Sequence, residues 1–191
     1  MSHQSTKAPV TGSAVFETTL GWVGIAWSDE GLARLQLPES DRAGTERRLA
    51  RTSNGVAASE PPPKMALLIG KLRDYAAGRQ VAFDDFPVDL SGIDAFRLAI
   101  YDAARKLKYG ETVTYGELAS RAGHAGLFRE TGQALGANPV PIVVPCHRIL
   151  AAGNLIGGFS APGGSTTKER LLLMEGVRVG PPPSPQASFA F

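Results

Sequence analysis

The stretch TYGELASRAGHAGLFRETGQALGA, Thr114 to Ala137, contains two short helical patterns on either side of a turn. The first pattern ends at Gly123, and only the three residues HAG separate it from the second. Two short helices across a tight glycine-containing turn are the outline of a helix-turn-helix. The sequence therefore predicts such a unit in the second half of the chain.

The second of these helices, LFRETGQALGA, has few side chains that could read base edges. Its polar side chains include Arg129 and Gln133, and most other positions are small: Thr131, Gly132, Ala134, Gly136 and Ala137. Small residues allow close approach to the narrow minor groove, where readout is degenerate. Residues 96–176 carry nine Lys or Arg against six Asp or Glu, a net +3 that attracts phosphate. The pattern favours a weakly sequence-selective DNA binder; two core-packing helices with a solvated charged face are the alternative.

The only cysteine, Cys146, follows in the segment IVVPCHRILAAGN, residues 142–154. A lone cysteine is usually a small buried hydrophobe, but here Pro145, His147 and Arg148 indicate a turn into a polar site. The apolar run before it predicts that Cys146 lies at the end of a buried extended segment. Because the thiolate is the attacking species, a neighbouring base or cation would make this thiol a nucleophile.

His147 is the nearest candidate base, although consecutive residues in an extended chain point to opposite faces. A bridging water or a kinked backbone is therefore needed for its imidazole to act on the sulfur. A base of this kind is oriented by a third group. Glu175, on the last predicted helix, is one of few carboxylates in this half that could lie behind the site.

The first half of the chain reads as strands followed by helices. From Ala14, the text AVFETTLGWVGIAWSDEGLARLQL predicts a three-stranded antiparallel meander. Helices are predicted in DRAGTERRLART and in PPPKMALLIGKLRDYAAG, which begins with prolines and ends at Gly78. The segment VAFDDFPVDL, residues 81–90, reads as another short strand.

The second half begins with a helix capped by Ser91 or Asp94. It closes with a helix capped by Thr166 or Thr167 and stopped by Gly176. We expect a flexible leader at residues 1–12 and an α/β domain at residues 13–90. A DNA-binding and acceptor domain at residues 91–177 and a Pro-rich tail at residues 178–191 follow.

Composition leaves the partner open but excludes several classes. A hydrophobic content of 43% with 20% charged residues is ordinary for a soluble globular protein. With one cysteine, neither an intramolecular disulfide nor a thiolate zinc cluster can form. The sequence shows no secretory signal and no apolar run near the roughly 18 residues of a membrane span, so we expect a cytoplasmic protein without membrane contact.

The motifs together resemble the O6-alkylguanine-DNA alkyltransferases, also called methylated-DNA–protein-cysteine methyltransferases. VPCHRIL is similar to the active-site signature of that family, and FRLAIYDAARKLKYGETVTYGELASRAG to its first helix and the start of its helix-turn-helix. FRETGQALGANPVPIVVPCHR resembles the recognition helix and active-site strand, and TKERLLLMEG the last helix. The resemblance covers roughly residues 92–177.

The resemblance implies an α+β fold with two domains. The N-terminal one would be an α/β domain with a small antiparallel, ribonuclease H-like sheet. The C-terminal one would be mostly helical and winged-helix-like, with the helix-turn-helix. The first half of the chain lacks cysteine, so the zinc-binding, phosphotriester-repair module of some longer relatives is not expected.

The resemblance also implies the chemistry. Cys146 would take the alkyl group irreversibly from O6-alkylguanine, with O4-alkylthymine as a further substrate, so that each molecule acts once. His147 would be the general base through a water, with Glu175 behind it, and Tyr115 would donate to the departing guanine. No metal or cofactor is expected.

The remaining implied roles concern DNA. Arg129 would enter the base stack where the target nucleotide leaves it, Asn138 would organise the active-site turn, and Ser160 would hold the alkylated base. Gln133, Ala134 and Gly136 would lie against the DNA. The expected partner is double-stranded DNA bound through its minor groove by a monomer.

Two features leave room for other interpretations. The loop GGFSAPGGSTTKE looks about two residues longer than the corresponding turn of the family, which bears on the position of Ser160. A non-catalytic lesion-recognition protein that recruits other repair factors would lack the acceptor cysteine, which is present here. A cysteine hydrolase using Cys146 and His147 would differ by multiple turnover.

Overall fold

A computed structural model describes residues 8–180 of the chain. Residues 1–7 of the predicted leader and 181–191 of the predicted tail lie outside the described residues. The fold is α+β, as predicted, with a small antiparallel sheet followed by a mostly helical second half.

The sheet consists of β1 (Gly12–Thr18), β2 (Gly21–Ser28) and β3 (Gly31–Gln36), antiparallel and in that order. Two-residue turns join the strands, and Gly31 ends the second turn with a φ of +141°. The Pro87 carbonyl leaves no room for a Cβ at Gly31. The predicted meander is therefore present, beginning two residues before Ala14.

Two helices pack against this sheet. Helix α1 (Arg42–Thr52) is capped by Asp41, whose carboxylate accepts from the Gly44 N–H at 2.6 Å. Helix α2 (Pro63–Ala76) starts with a proline, which suits the first helical turn because its missing N–H has no intrahelical partner there. Its buried face includes Tyr75, which is fully buried.

Residues 81–90, which we predicted as a strand, form a turn and an irregular connection. A single isolated bridge joins Val88 to Leu32. Pro87 has no N–H, and its carbonyl accepts from the Leu32 N–H at 3.0 Å, so pairing does not extend into a ladder. The strand prediction is wrong for this reason.

Helix α3 (Ala95–Arg105) begins the second half. Of the two candidate caps, Asp94 is the one used, since its carboxylate accepts from the Arg97 N–H at 2.9 Å. Ser91 instead donates to Asp89 at 2.6 Å.

The helix-turn-helix is formed by α4 (Tyr115–Arg121) and α5 (Phe128–Gly136). It follows the two-residue strand β4 (Val113–Thr114), and Thr114 and Glu117 form a reciprocal capping box at the start of α4. The turn contains Gly123 at φ +81°.

The chain from α5 to the cysteine is bent, not extended. It turns at Ile142, whose φ is +73°, and Cys146–Arg148 then form a 3₁₀ turn, called the thiol turn below. The predicted extended segment is wrong because Pro141 and Pro145 lack amide hydrogens and restrict the residues before them. The kinked backbone that we named as an alternative is the conformation found.

After the thiol turn, β5 (Ile149–Leu150) pairs in parallel with β4, with Val113 opposite Ile149. This short ladder holds the start of α4 beside the thiol turn.

The closing helix α6 (Gly164–Met174) begins before both threonines that we predicted as caps. Gly163, at φ +81°, precedes it without a side-chain cap, and Thr167 donates to the Pro162 carbonyl at 2.6 Å. The two-glycine sequence at 163–164 permits this earlier start, because glycine adopts positive φ without steric cost. Gly176 follows the helix at φ +77°, as expected for a stop.

Buried apolar side chains form one cluster that runs from the sheet through α2 to α3 and the thiol turn. Since this cluster crosses residue 91, the domain bounds stay a prediction. Within residues 8–180, no helix combines the length and apolar character that crossing a membrane requires.

Candidate active site

Cys146 lies at the start of the thiol turn with 8% of its surface exposed. Asn138, just after α5, donates from Nδ2 to the sulfur at 3.3 Å and to the Val144 carbonyl at 2.8 Å. Its Oδ1 accepts from the Val140 N–H at 3.0 Å. Asn138 therefore ties the bent connection to the sulfur.

Burial raises the pKa of the Cys146 thiol, and the Asn138 hydrogen bond and the Lys168 charge oppose that effect only in part. The resting group is therefore a thiol at neutral pH. A nearby base is needed for it to attack as a thiolate.

His147 is the next residue of the thiol turn and is fully buried. Its Nε2 is 2.7 Å from Oε1 of Glu175, which follows α6. Successive residues of a 3₁₀ turn are rotated by about 120°, not the 180° of a strand, so both side chains can serve one site. The structure thus brings Cys146, His147 and Glu175 together.

Glu175 is surrounded by donors. Its carboxylate accepts from Tyr75 Oη at 2.7 Å, from the Gly110 N–H at 2.9 Å, and from Arg148 Nε and Nη2 at 2.9 and 3.0 Å. Burial alone would raise the pKa of Glu175, but hydrogen bonds from His147 and Arg148, together with the positive charge of Arg148, hold it well below its usual range. The group is a buried carboxylate anion.

This charge fixes the tautomer of His147. Because the ionised Glu175 can only accept, the proton of the neutral imidazole is assigned to Nε2. Burial lowers the pKa of His147, so the ring is neutral near pH 7. Nδ1 is buried and has no hydrogen-bond partner among the described residues, which leaves an acceptor lone pair on the free side of the ring.

A cavity of about 550 Å³ opens in front of the sulfur. Its walls come from α5, from the start of α4 and from residues 151–160, here called the pocket loop. Tyr115 and Ser160 both line it, as do Arg129 and Gly136. Together with Cys146, these are five of the ten predicted site residues, and all five line this one cavity.

Tyr115 forms one side of this cavity and donates to the Gly158 carbonyl at 3.3 Å. Burial, and secondarily the nearby Cys146, raise its pKa, so the phenol keeps its proton. Gly157, at φ +67°, approaches the ring so closely that a Cβ would lie 3.3 Å from it.

The exposed face of α5 carries Arg129 at the cavity edge, with its guanidinium 5.8 Å from the Phe128 ring centre. Gln133 is also exposed but lines a separate shallow groove. Ala134 is buried, and its carbonyl accepts from Tyr101 Oη at 2.8 Å. Of the predicted DNA-facing residues, Ala134 is thus the one that α5 turns toward the core.

Sequence reasoning missed three residues of the site. Arg148 was read only as a turn signal, Lys168 only as part of a helix, and Tyr75 lies on α2, 72 residues before His147. Lys168 is fully buried and donates to the Ile149 and Gly158 carbonyls, and its Nζ lies 5.7 Å from the Tyr115 ring centre. Burial lowers the pKa of Lys168 to about 8. The one signal that the sequence offered is the position of Lys168 three and four residues before Leu171 and Leu172, which places it on the apolar face of the helix.

Comparison with known proteins shows what this chain is similar to in sequence. Residues 95–177 match the family described as 6-O-methylguanine DNA methyltransferase, DNA binding domain. The methylated-DNA–protein-cysteine methyltransferase of Methanothermobacter thermautotrophicus is 34% identical over 81% of this chain and 80% of its own length. The mouse protein of the same name is 31% identical, over 90% of this chain and 84% of its own length.

Solved structures agree as well. Mycobacterium tuberculosis OGT in complex with DNA superposes with a TM-score of 0.69 at 28% identity, covering 87% of this chain and 93% of that one. The O6-methylguanine-DNA methyltransferase of Pyrococcus kodakaraensis gives a TM-score of 0.66 at 26% identity, covering 86% and 99%.

Proposed function

The chain belongs to the methylated-DNA–protein-cysteine methyltransferase family, and from that premise we propose that Cys146 is the acceptor for alkyl groups on guanine O6. The protein is a DNA-repair transferase that moves an alkyl group from DNA to its own cysteine. One observation carries the assignment. Cys146 lines a cavity and is followed directly by the buried His147, which is hydrogen-bonded to Glu175.

In the proposed reaction, His147 Nδ1 takes the thiol proton through a water, and Glu175 compensates the charge of the imidazolium. The sulfur attacks the alkyl carbon, the S–C bond forms, and the C–O6 bond breaks with its electron pair going to the guanine. Tyr115 donates a hydrogen bond to the departing base, which lowers the barrier. The guanine takes up a proton, and balance is restored when His147 releases the one that it accepted.

The buried sulfur requires the target nucleotide to leave the duplex, at a cost of a few kcal/mol. We propose that Arg129 occupies the gap in the base stack, because it is exposed on α5 at the cavity edge. Gly136 allows close approach of this helix, and Gln133 lies on its exposed face. These features support binding through the minor groove.

Asn138 would orient the sulfur and the bent connection, and Ser160 would contact the alkylated base from the pocket loop. O4-alkylthymine is a further proposed substrate. We also propose that the protein acts as a monomer and in the cytoplasm, where reducing conditions keep a thiol acceptor free.

The test is the intact mass of the protein after incubation with an excess of O6-benzylguanine. We expect one benzyl group per molecule, located on Cys146, and none on Cys146→Ala. No mass increase, or an increase that persists in Cys146→Ala, would contradict the assignment. Release of product beyond one equivalent would instead identify a hydrolase.

A further inference from the structure

A second cleft, of about 240 Å³, reaches the same sulfur from the side of the sheet. It shares four lining residues with the first cavity: Gly136, Cys146, Phe159 and Ser160. Its opposite wall comes from β3 and α1 and contributes Arg34 and Arg48. Cys146 therefore lies at the junction of two spaces.

The geometry of the reaction, in which the sulfur displaces guanine O6 from the alkyl carbon, gives the first cavity and the second cleft different roles. The sulfur must approach the alkyl carbon opposite to the departing oxygen, so the sulfur, carbon and O6 lie nearly in line. Anything attached to that carbon then projects sideways from the line. If the guanine fills the first cavity, the rest of a longer alkyl group needs room beside the sulfur, and the second cleft provides it.

The wall of this cleft is cationic. Arg34 is half-buried and uses Nε to donate to the Thr52 carbonyl at 3.1 Å. Among residues 8–180, no carboxylate forms an ion pair with Arg34, and Arg48 has only a distant one, its Nε lying 3.7 Å from Glu39 Oε1. No Asp or Glu lines the cleft. A guanidinium so placed is suited to a carboxylate.

We propose that the second cleft receives the O6 substituent and that Arg34 and Arg48 favour substituents ending in a carboxylate, of which carboxymethyl is the smallest. This proposal rests on the function proposed above. The bond changes are the same: the bond from Sγ to the methylene carbon forms, the bond from that carbon to O6 breaks, and the electron pair leaves with the guanine. The carboxylate keeps its charge throughout and remains between the two arginines.

The test uses two duplexes that differ only in charge. One carries O6-carboxymethylguanine and the other its neutral amide analogue of nearly equal size, O6-carbamoylmethylguanine. Single-turnover rate constants are measured by mass spectrometry for the wild type, Arg34→Gln, Arg48→Gln and Arg34→Lys. Arg51→Gln is the matched control, because Arg51 is exposed on the same helix but does not line the cleft.

The quantity compared is the ratio of the two rate constants, in which the intrinsic reactivities of the substrates cancel between variants. We expect Arg34→Gln to lower the acid-to-amide ratio about tenfold, as for loss of one hydrogen bond to a charged group. Arg48 is more exposed, so Arg48→Gln should lower it about threefold. Arg34→Lys should recover part of the ratio, and Arg51→Gln should leave it unchanged.

Three results would overturn the proposal: a ratio that no variant alters, failure of both substrates while O6-methylguanine reacts, or an equal slowing of all duplex substrates. The last would mean that the arginines bind the DNA backbone. Failure of the wild type on O6-methylguanine itself would instead refute the proposed function.

Discussion

The region behind the sulfur and the region in front of it are built in opposite ways. Behind it, His147, Arg148 and Glu175 are buried, and the Glu175 carboxylate accepts hydrogen bonds from four residues. In front, α5 exposes Arg129, and Phe128 is 52% exposed. We therefore expect substitutions behind the sulfur to alter both the reaction rate and the stability of the fold. Substitutions on the exposed face of α5 should alter DNA contact alone.

The largest effect is expected from Glu175→Gln, which removes the charge that compensates Arg148 and orients His147. Breaking a buried ion pair costs about 3 kcal/mol or more of unfolding free energy. Alkyl transfer should slow at least about 100-fold because the base loses its orienting group. Urea unfolding and single-turnover kinetics measure the two effects. Glu46→Gln, at an exposed pair with Arg42, is the control and should change neither; a near-normal rate for Glu175→Gln would contradict the assignment.

Arg129→Ala is expected to separate the two regions. Reaction with alkylated duplex should slow about 30-fold, because Arg129 as the proposed wedge would offset part of a flipping cost of a few kcal/mol. Reaction with free O6-benzylguanine and the unfolding free energy should not change. Arg79→Ala, at an exposed position on the connection after α2, is the control. Equal slowing with both substrates would argue against the wedge.

Tyr75→Phe probes whether the first half of the chain contributes to the chemistry. Loss of its hydrogen bond to Glu175 should cost about 1.5 kcal/mol of unfolding free energy and slow transfer several-fold. Tyr109→Phe removes a hydroxyl that donates to the Met174 carbonyl at 2.8 Å, so it should lower stability alone. If both variants transferred alkyl groups at the wild-type rate, Tyr75 would be only structural.

The smallest effect concerns Lys168, whose pKa falls from 10.5 to about 8 because of burial. Above pH 8 the unfolded chain binds more protons at this lysine than the folded one, so the contribution of Lys168 to stability rises with pH. The unfolding free energy of the wild type relative to Lys168→Met should increase by about 1 kcal/mol between pH 8 and pH 9. A difference that stays flat, or that falls, would show that the folded lysine titrates normally.

Local patterns predicted the parts of the molecule that depend on neighbours in sequence. The meander and the helix-turn-helix follow from side-chain periodicity and glycine turns. The prediction of an extended segment before Cys146 was wrong, because two prolines bend a segment whose apolar residues are typical of a strand. Tyr75 and Arg34 could not be assigned, since each reaches the site from an element distant in sequence.

The chain at the end of the pocket loop is held at two carbonyls, one within the loop and one just after it. Tyr115 and Lys168 both donate to Gly158, and Thr167 donates to Pro162. Insertions or deletions between these anchors would move Phe159 and Ser160, which line both cavities, while the phenol and the sulfur keep their own contacts. Loop length is thus free to vary in evolution, and a protein engineer could graft new sequences there while leaving the reacting groups in register.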